Sequence, residues 1–357
     1  MPNLINPISL LLLSLCLLSA CTKPTIPATK TVQGTDTTAL PQALVLQRAD
    51  PQIYRTQEGR YYFIATAPEF DRIELRAADR LADLTQAPAQ VIWRKHASGP
   101  MSANIWAPEL HRWDNTWYIY FAAGETERPG HIRMYVLAND HVDPLQGQWR
   151  ELGRVNTARD SFSLDATVFE HRGVRYLLWA QKDPQNLFNS ALYLATLETP
   201  TQVGSREVEI SRPDLGWEIQ GYKVNEGAAV IKHNGRIFVS YSASATDHRY
   251  AMGLLWIDET ADILNPAAWN KAPEPVFFTH EKLQRYGPGH NSFTLAEDGK
   301  TPVLVYHARD YLELQGAPLT DPNRHTYIRR LQWTTQGFPD FGQERADDLV
   351  THKQSTK

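Results

Sequence analysis

A single pattern occurs five times along this chain of 357 residues. Each copy opens with a small or polar pair, continues as a β-rich run, turns at Gly or Asn, and returns through an aromatic-rich run, which is the pattern of a β-hairpin. The copies read "ADPQIYRTQEGRYYFIAT", "WAPELHRWDNTWYIYFAA", "LDATVFEHRGVRYLLWA", "NEGAAVIKHNGRIFVSYSA" and "GHNSFTLAEDGKTPVLVYHA". Self-similarity at a steady spacing indicates that one supersecondary unit is repeated in space.

The spacing of the copies limits the fold. Successive openings are separated by 57, 58, 61 and 64 residues, and each turn follows its opening after eight or nine positions. A unit of about sixty residues has room for two strands beyond the hairpin, and a four-stranded unit is the blade of a β-propeller. We therefore predict an all-β, five-bladed β-propeller, closed by pairing an N-terminal strand with the last blade. Two stacked β-sandwiches are the alternative. The residues at the openings are Asp50, Ala107, Asp165, Glu226 and His290.

The N-terminal region reads differently from the repeats. A short apolar run over residues 10–18 leads into "LSAC", which suits a secretory signal and resembles a bacterial lipobox ending at Cys21. The Thr- and Pro-containing stretch that follows is typical of a flexible tether. We predict a lipoprotein signal peptide over residues 1–20, a lipidated Cys21 with its tether over 21–43, the propeller over 44–345 and a C-terminal tail over 346–357.

The expected location follows from this N-terminal pattern. Lipidation at Cys21 would anchor an exported protein to the cell membrane, and we expect an outer-membrane lipoprotein that faces the periplasm or the cell surface. Residues 1–20 contain no Lys or Arg, so the usual basic start is missing, and a plain signal peptide with a chance cysteine is the alternative. The net charge of −4 gives no reason to expect a nucleic-acid partner.

Three of the five openings carry a carboxylate. If the first strand of each hairpin is the innermost one, Asp50, Asp165 and Glu226 converge on one mouth of the central channel. Glu226 is unexpected at the start of an apolar strand, and Gly227 beside it leaves room for a substrate. Each carboxylate alone is explained better by the start of a strand or turn, but the phased set favours a functional site.

Convergent carboxylates allow two interpretations. One is a cation site, because hard cations take oxygen ligands. The other is glycoside hydrolysis, in which a carboxylic acid protonates the leaving oxygen and a carboxylate activates water or attacks directly. A third carboxylate can keep the acid protonated, because nearby negative charge disfavours its ionisation. The 10 Trp, 15 Tyr and 12 Phe residues agree with sugar recognition, since aromatic rings pack on the apolar faces of sugars.

The motifs around these residues carry a family resemblance. "RADPQIY", "IWAPELH", "FSLDATVF" and "VNEGAAV" resemble, in order and spacing, the site motifs of glycoside hydrolase family 43, whose members are five-bladed propellers with inverting catalysis. "SASATDHRYAMG", "VYHARDY" and "DPNRHTYIRR" extend the match over nearly all of residues 44–345, and this longer set is similar to the secreted exo-acting α-1,5-L-arabinofuranosidases of that family. The resemblance implies Asp50 as general base, Glu226 as general acid, and Asp165 as the residue that tunes the acid and fixes the sugar.

Weaker assignments concern four further residues. Trp106 is predicted to form a wall of the sugar pocket, with core packing as the alternative. Asn189 and Arg309 resemble family positions that hydrogen-bond the terminal sugar, although Arg309 would serve a structural ion pair equally well. His290 resembles a histidine that lies under the site near a bound cation or water, or else it is a satisfied core histidine. No cofactor is required. If a metal is present we expect Ca²⁺ with a largely water-built shell.

The function predicted from these observations is an exo-glycosidase that removes terminal α-L-arabinofuranosyl units from arabinan or arabino-oligosaccharides. The expected partner is therefore an arabinose-containing plant polysaccharide or oligosaccharide, and the membrane is contacted only through the lipid. A β-xylosidase or endo-arabinanase of the same fold is the enzymatic alternative. A non-catalytic sugar-binding surface lipoprotein is the alternative from a different class.

Overall fold

Five antiparallel β-sheets are arranged as blades in a ring in the computed structural model, which describes residues 42–183, 185 and 187–349. Blade 1 contains β1 (Ala49–Arg55), β2 (Tyr61–Thr66), β3 (Arg72–Ala78) and β4 (Gln90–Arg94). Blade 2 contains β5 (Ala103–Trp113), β6 (Thr116–Glu125), β7 (Arg128–Asn139) and β8 (Arg150–Arg154). Blade 3 contains β9 (Ser163–His171), β10 (Val174–Gln181), β11 (Ala191–Thr199), β12 (Gln202–Val203) and β13 (Val208–Ser211).

The last two blades follow the same plan. Blade 4 contains β14 (Asn225–His233), β15 (Arg236–Ala243), β16 (Ala251–Asp258) and β17 (Asn270–Lys271). Blade 5 contains β18 (Tyr286–Leu295), β19 (Pro302–Arg309) and β20 (His325–Arg330), and a separate pair is formed by β21 (Gln332–Trp333) and β22 (Pro339–Asp340). The described helices are single 3₁₀ turns at Leu81–Thr85, Gly216–Glu218, Pro266–Ala268 and Glu281–Leu283. None of the described helices is long and apolar enough to span a membrane.

The hydrophobic core lies between neighbouring blades rather than at one centre. Each blade is covered on both faces, so a strand such as β2 is buried at every position instead of alternating. Large aromatic side chains fill the wedge between blades: Trp117 packs between blades 1 and 2, and Trp179 between blades 2 and 3. Both indoles are fully buried. The aromatic-rich return strands of the repeat are therefore explained first by blade packing.

The ring closes in blade 5 through the N-terminal segment. Backbone N–H of Leu44 donates to the carbonyl of Thr326 at 2.7 Å, and the N–H of Thr326 donates to the carbonyl of Val45 at 2.9 Å. Leu44 and Val45 thereby lie against β20 as the outer strand that this blade otherwise lacks. The predicted five-bladed architecture and its closure by an N-terminal strand are both confirmed, and the stacked sandwiches are excluded.

The structure also bears on two local predictions, the turn of the fourth hairpin and the start of the C-terminal tail. The fourth hairpin turns at Asn234 and Gly235, whose φ angles of 51° and 73° are those of a type I′ turn. The predicted tail boundary at residue 345 is less distinct, because Asp347 is buried and accepts a hydrogen bond from Arg329 Nε at 2.8 Å. The predicted signal peptide and Cys21 lie outside the described residues.

Candidate active site

A β-bulge interrupts the innermost strand of each blade close to its opening. At each bulge the pairing with the next strand shifts register, and one residue takes a positive φ. Bulges of this kind bend a strand and re-aim its side chains. Five such bulges surround one mouth of the ring, so the openings form a set of equivalent positions. The bulge residues and their φ angles are Asp50 at 53°, Ala107 at 45°, Asp165 at 55°, Gly227 at 55° and His290 at 42°.

The fourth position of this set corrects the repeat alignment by one residue. Gly227, not Glu226, has the positive φ and is the structural equivalent of Asp50 and Asp165. Glu226 instead precedes the bulge, as Trp106 and Leu164 do in their own blades, and all three of these side chains line the same cavity. The glutamate therefore comes from the cavity wall, whereas the two aspartates come from the bulges themselves.

Gly227 is a glycine because of the His290 imidazole beside it, not to leave space for a substrate. Its φ is positive, and a Cβ added there would lie 2.9 Å from Cγ of His290. The imidazole of His290 fills the space that the sequence assigned to a substrate. With no side chain in the way, the Gly227 N–H donates to Asp165 Oδ2 at 2.9 Å.

One cavity of about 240 Å³ brings the predicted residues together. The lining includes all three carboxylates and the predicted Trp106, Asn189 and His290, together with residues that were not predicted. Its apolar part contains Phe162, Leu164, Tyr222, Val224 and Leu319. A small cavity with an apolar wall and a few convergent polar groups is the usual form of a small-molecule site.

Asp50 is stabilised as a carboxylate. Oδ2 accepts a hydrogen bond from Thr66 Oγ1 at 2.6 Å, and Oδ1 accepts one from Arg324 Nη1 at 3.1 Å. The Asp50 backbone N–H donates to His307 Nδ1 at 3.0 Å. Burial works strongly against ionisation, but the Arg324 guanidinium holds the pKa of Asp50 well below its usual range. Asp50 is thus ionised at neutral pH.

Asp165 and Glu226 have the opposite balance. Burial, then the charges of Glu226 and Asp50, raise the pKa of Asp165 well above its usual range. Burial also raises the pKa of Glu226 to about 7, against the hydrogen bond that Tyr250 OH donates to its Oε1 at 2.9 Å. The cavity therefore holds one ionised carboxylate, Asp50, beside a coupled pair, Asp165 and Glu226, in which protonation is favoured, and acid–base hydrolysis needs this division.

Arg309 does not line the cavity. Its guanidinium is buried and donates to Asp321 Oδ1, to the Thr246 carbonyl at 2.7 Å and to the Pro318 carbonyl at 2.8 Å. This arrangement corresponds to the structural ion pair that the sequence left open, and it corrects the assignment of Arg309 to the sugar. Arg324 lines the cavity instead.

Sequence reasoning missed Arg324, Tyr250 and His307. All three lie inside quoted motifs, "DPNRHTYIRR", "SASATDHRYAMG" and "VYHARDY". Nothing in those motifs says which of their polar residues faces the cavity. The sequence therefore shows the residue types in these motifs, but not the orientation of their side chains.

The described residues do not form a protein-built Ca²⁺ site. They contain no group of three or more His, Cys, Asp or Glu side chains that could hold a metal ion. Ca²⁺ takes six to eight oxygen ligands, and His290 offers one nitrogen, which lies 3.2 Å from Asp50 Oδ1. Burial lowers the pKa of His290, so its imidazole is neutral. A water-built shell around an ion near His290 stays a prediction.

Comparison with known proteins gives a consistent result. The family model "Glycosyl hydrolases family 43" matches residues 44–339. An extracellular exo-α-(1→5)-L-arabinofuranosidase of Streptomyces avermitilis is 49% identical over 324 residues, which are 91% of this chain and 67% of the relative. The α-L-arabinofuranosidase 43 of Humicola insolens is 49% identical over 325 residues, 91% of this chain and 66% of that one.

A solved structure agrees with these relatives. The crystal structure of the α-L-arabinofuranosidase from Lactobacillus brevis matches with a TM-score of 0.83 at 45% identity, covering 87% of this chain and 98% of that one. The chain spans about two thirds of the length of the two relatives named above, so a third of each lies outside the match.

Replacing Gly227 by Ala tests the packing under the site. A left-handed Ala costs about 1–2 kcal/mol, and the contact with His290 should add about 1–3 kcal/mol more through overpacking. Gly235→Ala is the matched control, because Gly235 also has a positive φ but an added Cβ there meets nothing within 4 Å. Urea unfolding of the two variants should give a larger loss of unfolding free energy for Gly227→Ala. Equal losses would show that His290 does not restrict this position.

Proposed function

The chain belongs to the glycosyl hydrolases of family 43, and on that premise we propose that it is an exo-acting, inverting enzyme that releases terminal α-L-arabinofuranosyl residues from arabinan or arabino-oligosaccharides. The observation that carries the proposal is the pairing, in one cavity, of an ionised Asp50 with a Glu226 whose pKa is raised to about 7 by burial. These are the two protonation states that an inverting glycosidase requires.

The size of the cavity supports exo action. Pockets for drug-sized ligands occupy about 300–1,000 Å³, and this cavity of about 240 Å³ suits a single sugar unit better than a length of polysaccharide. Arabinofuranosyl as that unit is supported by the relatives, three of which are α-L-arabinofuranosidases by name.

The proposed mechanism is a single displacement. Glu226 gives its proton to the glycosidic oxygen as the bond to the anomeric carbon breaks, so the leaving sugar departs as an alcohol. Asp50 takes a proton from a water molecule, whose oxygen forms the new bond on the opposite face of the anomeric carbon. Asp165, whose Oδ2 accepts the Gly227 N–H, titrates together with Glu226, and the negative charge of Asp50 favours the protonated acid.

Product analysis tests the proposed activity and its stereochemistry together. The enzyme should release arabinose from linear α-1,5-arabino-oligosaccharides. Proton NMR of the first minutes should show the β-anomer, because a single displacement inverts the configuration at the anomeric carbon. Arabinoxylan and xylo-oligosaccharides are the comparison substrates. Xylose release would favour a β-xylosidase, larger products an endo-arabinanase, and no hydrolysis a sugar-binding protein. Initial α-arabinose would exclude the single displacement.

The roles of Glu226 and Asp50 are separated by the leaving group. A sugar alkoxide leaves poorly and needs the proton, so Glu226→Ala should lose on the order of 10²–10⁴-fold on arabino-oligosaccharides. It should lose far less on a dinitrophenyl arabinofuranoside, because dinitrophenolate leaves without a proton. Asp50→Ala should be severely impaired on both substrates, since water must be activated in either case. The reverse pattern would exchange the two roles. Near-UV circular dichroism checks that each variant is folded.

We also propose that the protein is exported and anchored by a lipid at Cys21. The lipobox-like "LSAC" supports the anchor, and the Streptomyces avermitilis relative, which is an extracellular enzyme by name, supports export. Cys21→Ser should release the protein from the membrane fraction or stall its processing. Cys16→Ser is the matched control and should leave the distribution unchanged. A Cys21→Ser protein that stays in the membrane fraction after normal processing would refute the anchor.

A further inference from the structure

Tyr250 connects the two halves of the catalytic pair. It directly precedes β16, its side chain is almost fully buried, and its hydroxyl donates to Glu226 Oε1 at 2.9 Å. Its ring lies parallel to the imidazole of His307, with centroids 5.7 Å apart and an interplanar angle of 9°. His307 in turn accepts the backbone N–H of Asp50. The phenol is therefore fixed between the acid side and the base side of the cavity.

The position of the ring is also set by Gly289. A Cβ added at Gly289 would lie 2.4 Å from Cε1 of Tyr250, so the ring occupies the volume that a side chain on β18 would need. Such close packing leaves the hydroxyl little freedom to move away from Glu226.

The hydrogen bond determines which oxygen of Glu226 carries the proton. Burial, then the charge of Glu226, raises the pKa of Tyr250 well above its usual value, so the phenol keeps its proton and donates it. The acceptor of that hydrogen bond is Oε1 of Glu226. In a protonated carboxyl group the carbonyl oxygen is the stronger acceptor, so the oxygen that accepts from the phenol is the one suited to be the carbonyl. The hydrogen bond to Oε1 therefore favours the proton on Oε2.

We propose that Tyr250 is a positioning residue for the general acid, which holds Glu226 Oε1 as an acceptor, leaves the transferable proton on Oε2, and stabilises the carboxylate that remains after transfer. The inference rests on the proposed function, because it takes Glu226 to be the acid. No covalent step is added to the mechanism. Tyr250 donates the same hydrogen bond before and after the proton moves to the leaving oxygen.

The charges around Glu226 fix the sign of the expected effect. Asp50 on β1 faces Glu226 with a negative charge, and Asp165 on β9 titrates together with Glu226. Arg324, directly before β20, faces it with a positive charge, and neutral His290 on β18 lies beneath Gly227. Burial raises the pKa of Glu226 to about 7, and the Tyr250 hydrogen bond is the largest influence that lowers it. Removing the bond should therefore raise the pKa of the acid.

Tyr250→Phe keeps the ring and deletes the hydroxyl. The alkaline limb of kcat/KM reports loss of the acid's proton, so it should move up by about one pH unit, the usual effect of losing a hydrogen bond to a charged group. Because Asp165 and Glu226 titrate together, the limb belongs to the pair. Below the limb, turnover of arabino-oligosaccharides should fall about tenfold, whereas turnover of a dinitrophenyl arabinofuranoside should change little.

The matched control is Tyr241→Phe. Tyr241 is equally buried and also donates to a carboxylate, Glu218 Oε1 at 2.7 Å, but it does not line the cavity. Its variant should leave the alkaline limb in place. A limb that stays or moves down in Tyr250→Phe, or one that moves equally in both variants, would overturn the proposal. The proposal would also be overturned if Tyr250→Phe still reduced turnover of the dinitrophenyl substrate in a Glu226→Ala background. Tyr250 would then act through His307 and Asp50 rather than through the acid.

A measurement without turnover separates this proposal from the proposed function. Titration of ¹³C-labelled glutamate carboxyl groups by NMR, with the Glu226 signal assigned by its loss in Glu226→Ala, should show the same upward shift in Tyr250→Phe. If the enzyme hydrolyses arabino-oligosaccharides but the pKa of Glu226 is the same in Tyr250→Phe, only the role of Tyr250 is contradicted. A moved titration in a protein that hydrolyses no arabinofuranoside contradicts only the substrate class.

Discussion

Mutual repulsion among three carboxyl groups in one cavity, two of them buried and Glu226 half-buried, is the constraint around which this structure is organised. Ionising all three groups in one desolvated cavity would cost too much free energy. The hydrogen-bond and charge partners of each group therefore determine which one is ionised. Arg324 and Thr66 both hydrogen-bond to Asp50, and among the described residues neither side chain hydrogen-bonds to Glu226 or Asp165. Charge is therefore concentrated on Asp50, and protonation is favoured in the coupled pair of Asp165 and Glu226. The chemical difference between base and acid comes from these partners, because the side chains themselves are nearly identical.

The scaffold delivers those partners through backbone geometry. The bulge at Ala107 shows this best, because an alanine in a left-handed conformation is strained and its side chain has no chemistry to offer. Its N–H, however, donates to Thr66 Oγ1 at 2.7 Å, and Thr66 then donates to Asp50. The strained conformation in blade 2 therefore orients a hydroxyl in blade 1. The five bulges serve the site even where the side chain at the bulge does not.

Sequence periodicity predicted the blades well and the site only in part. Hairpins, turn residues and the three carboxylates are local features, and the spacing of about sixty residues was enough to number the blades. The one-residue offset of Glu226 was not predictable by counting, because a bulge adds a residue without changing the hydrophobic pattern. The choice between Arg309 and Arg324 depended on contacts across the whole chain, since Arg324 and Asp50 are 274 positions apart. Composition and spacing carry no information on such a pair.

The closure of the ring has a consequence for how the enzyme matures. The strand at Leu44 and Val45 finds its partner, Thr326, only when almost the entire chain is available, and contacts of such high sequence separation form slowly. Asp50 lies just beyond that strand, and its partners His307 and Arg324 both come from blade 5. Before closure the aspartate lacks the cation that keeps it charged. We therefore expect hydrolytic competence to depend on closure of the ring, because the contacts that complete blade 5 also bring Arg324 to Asp50.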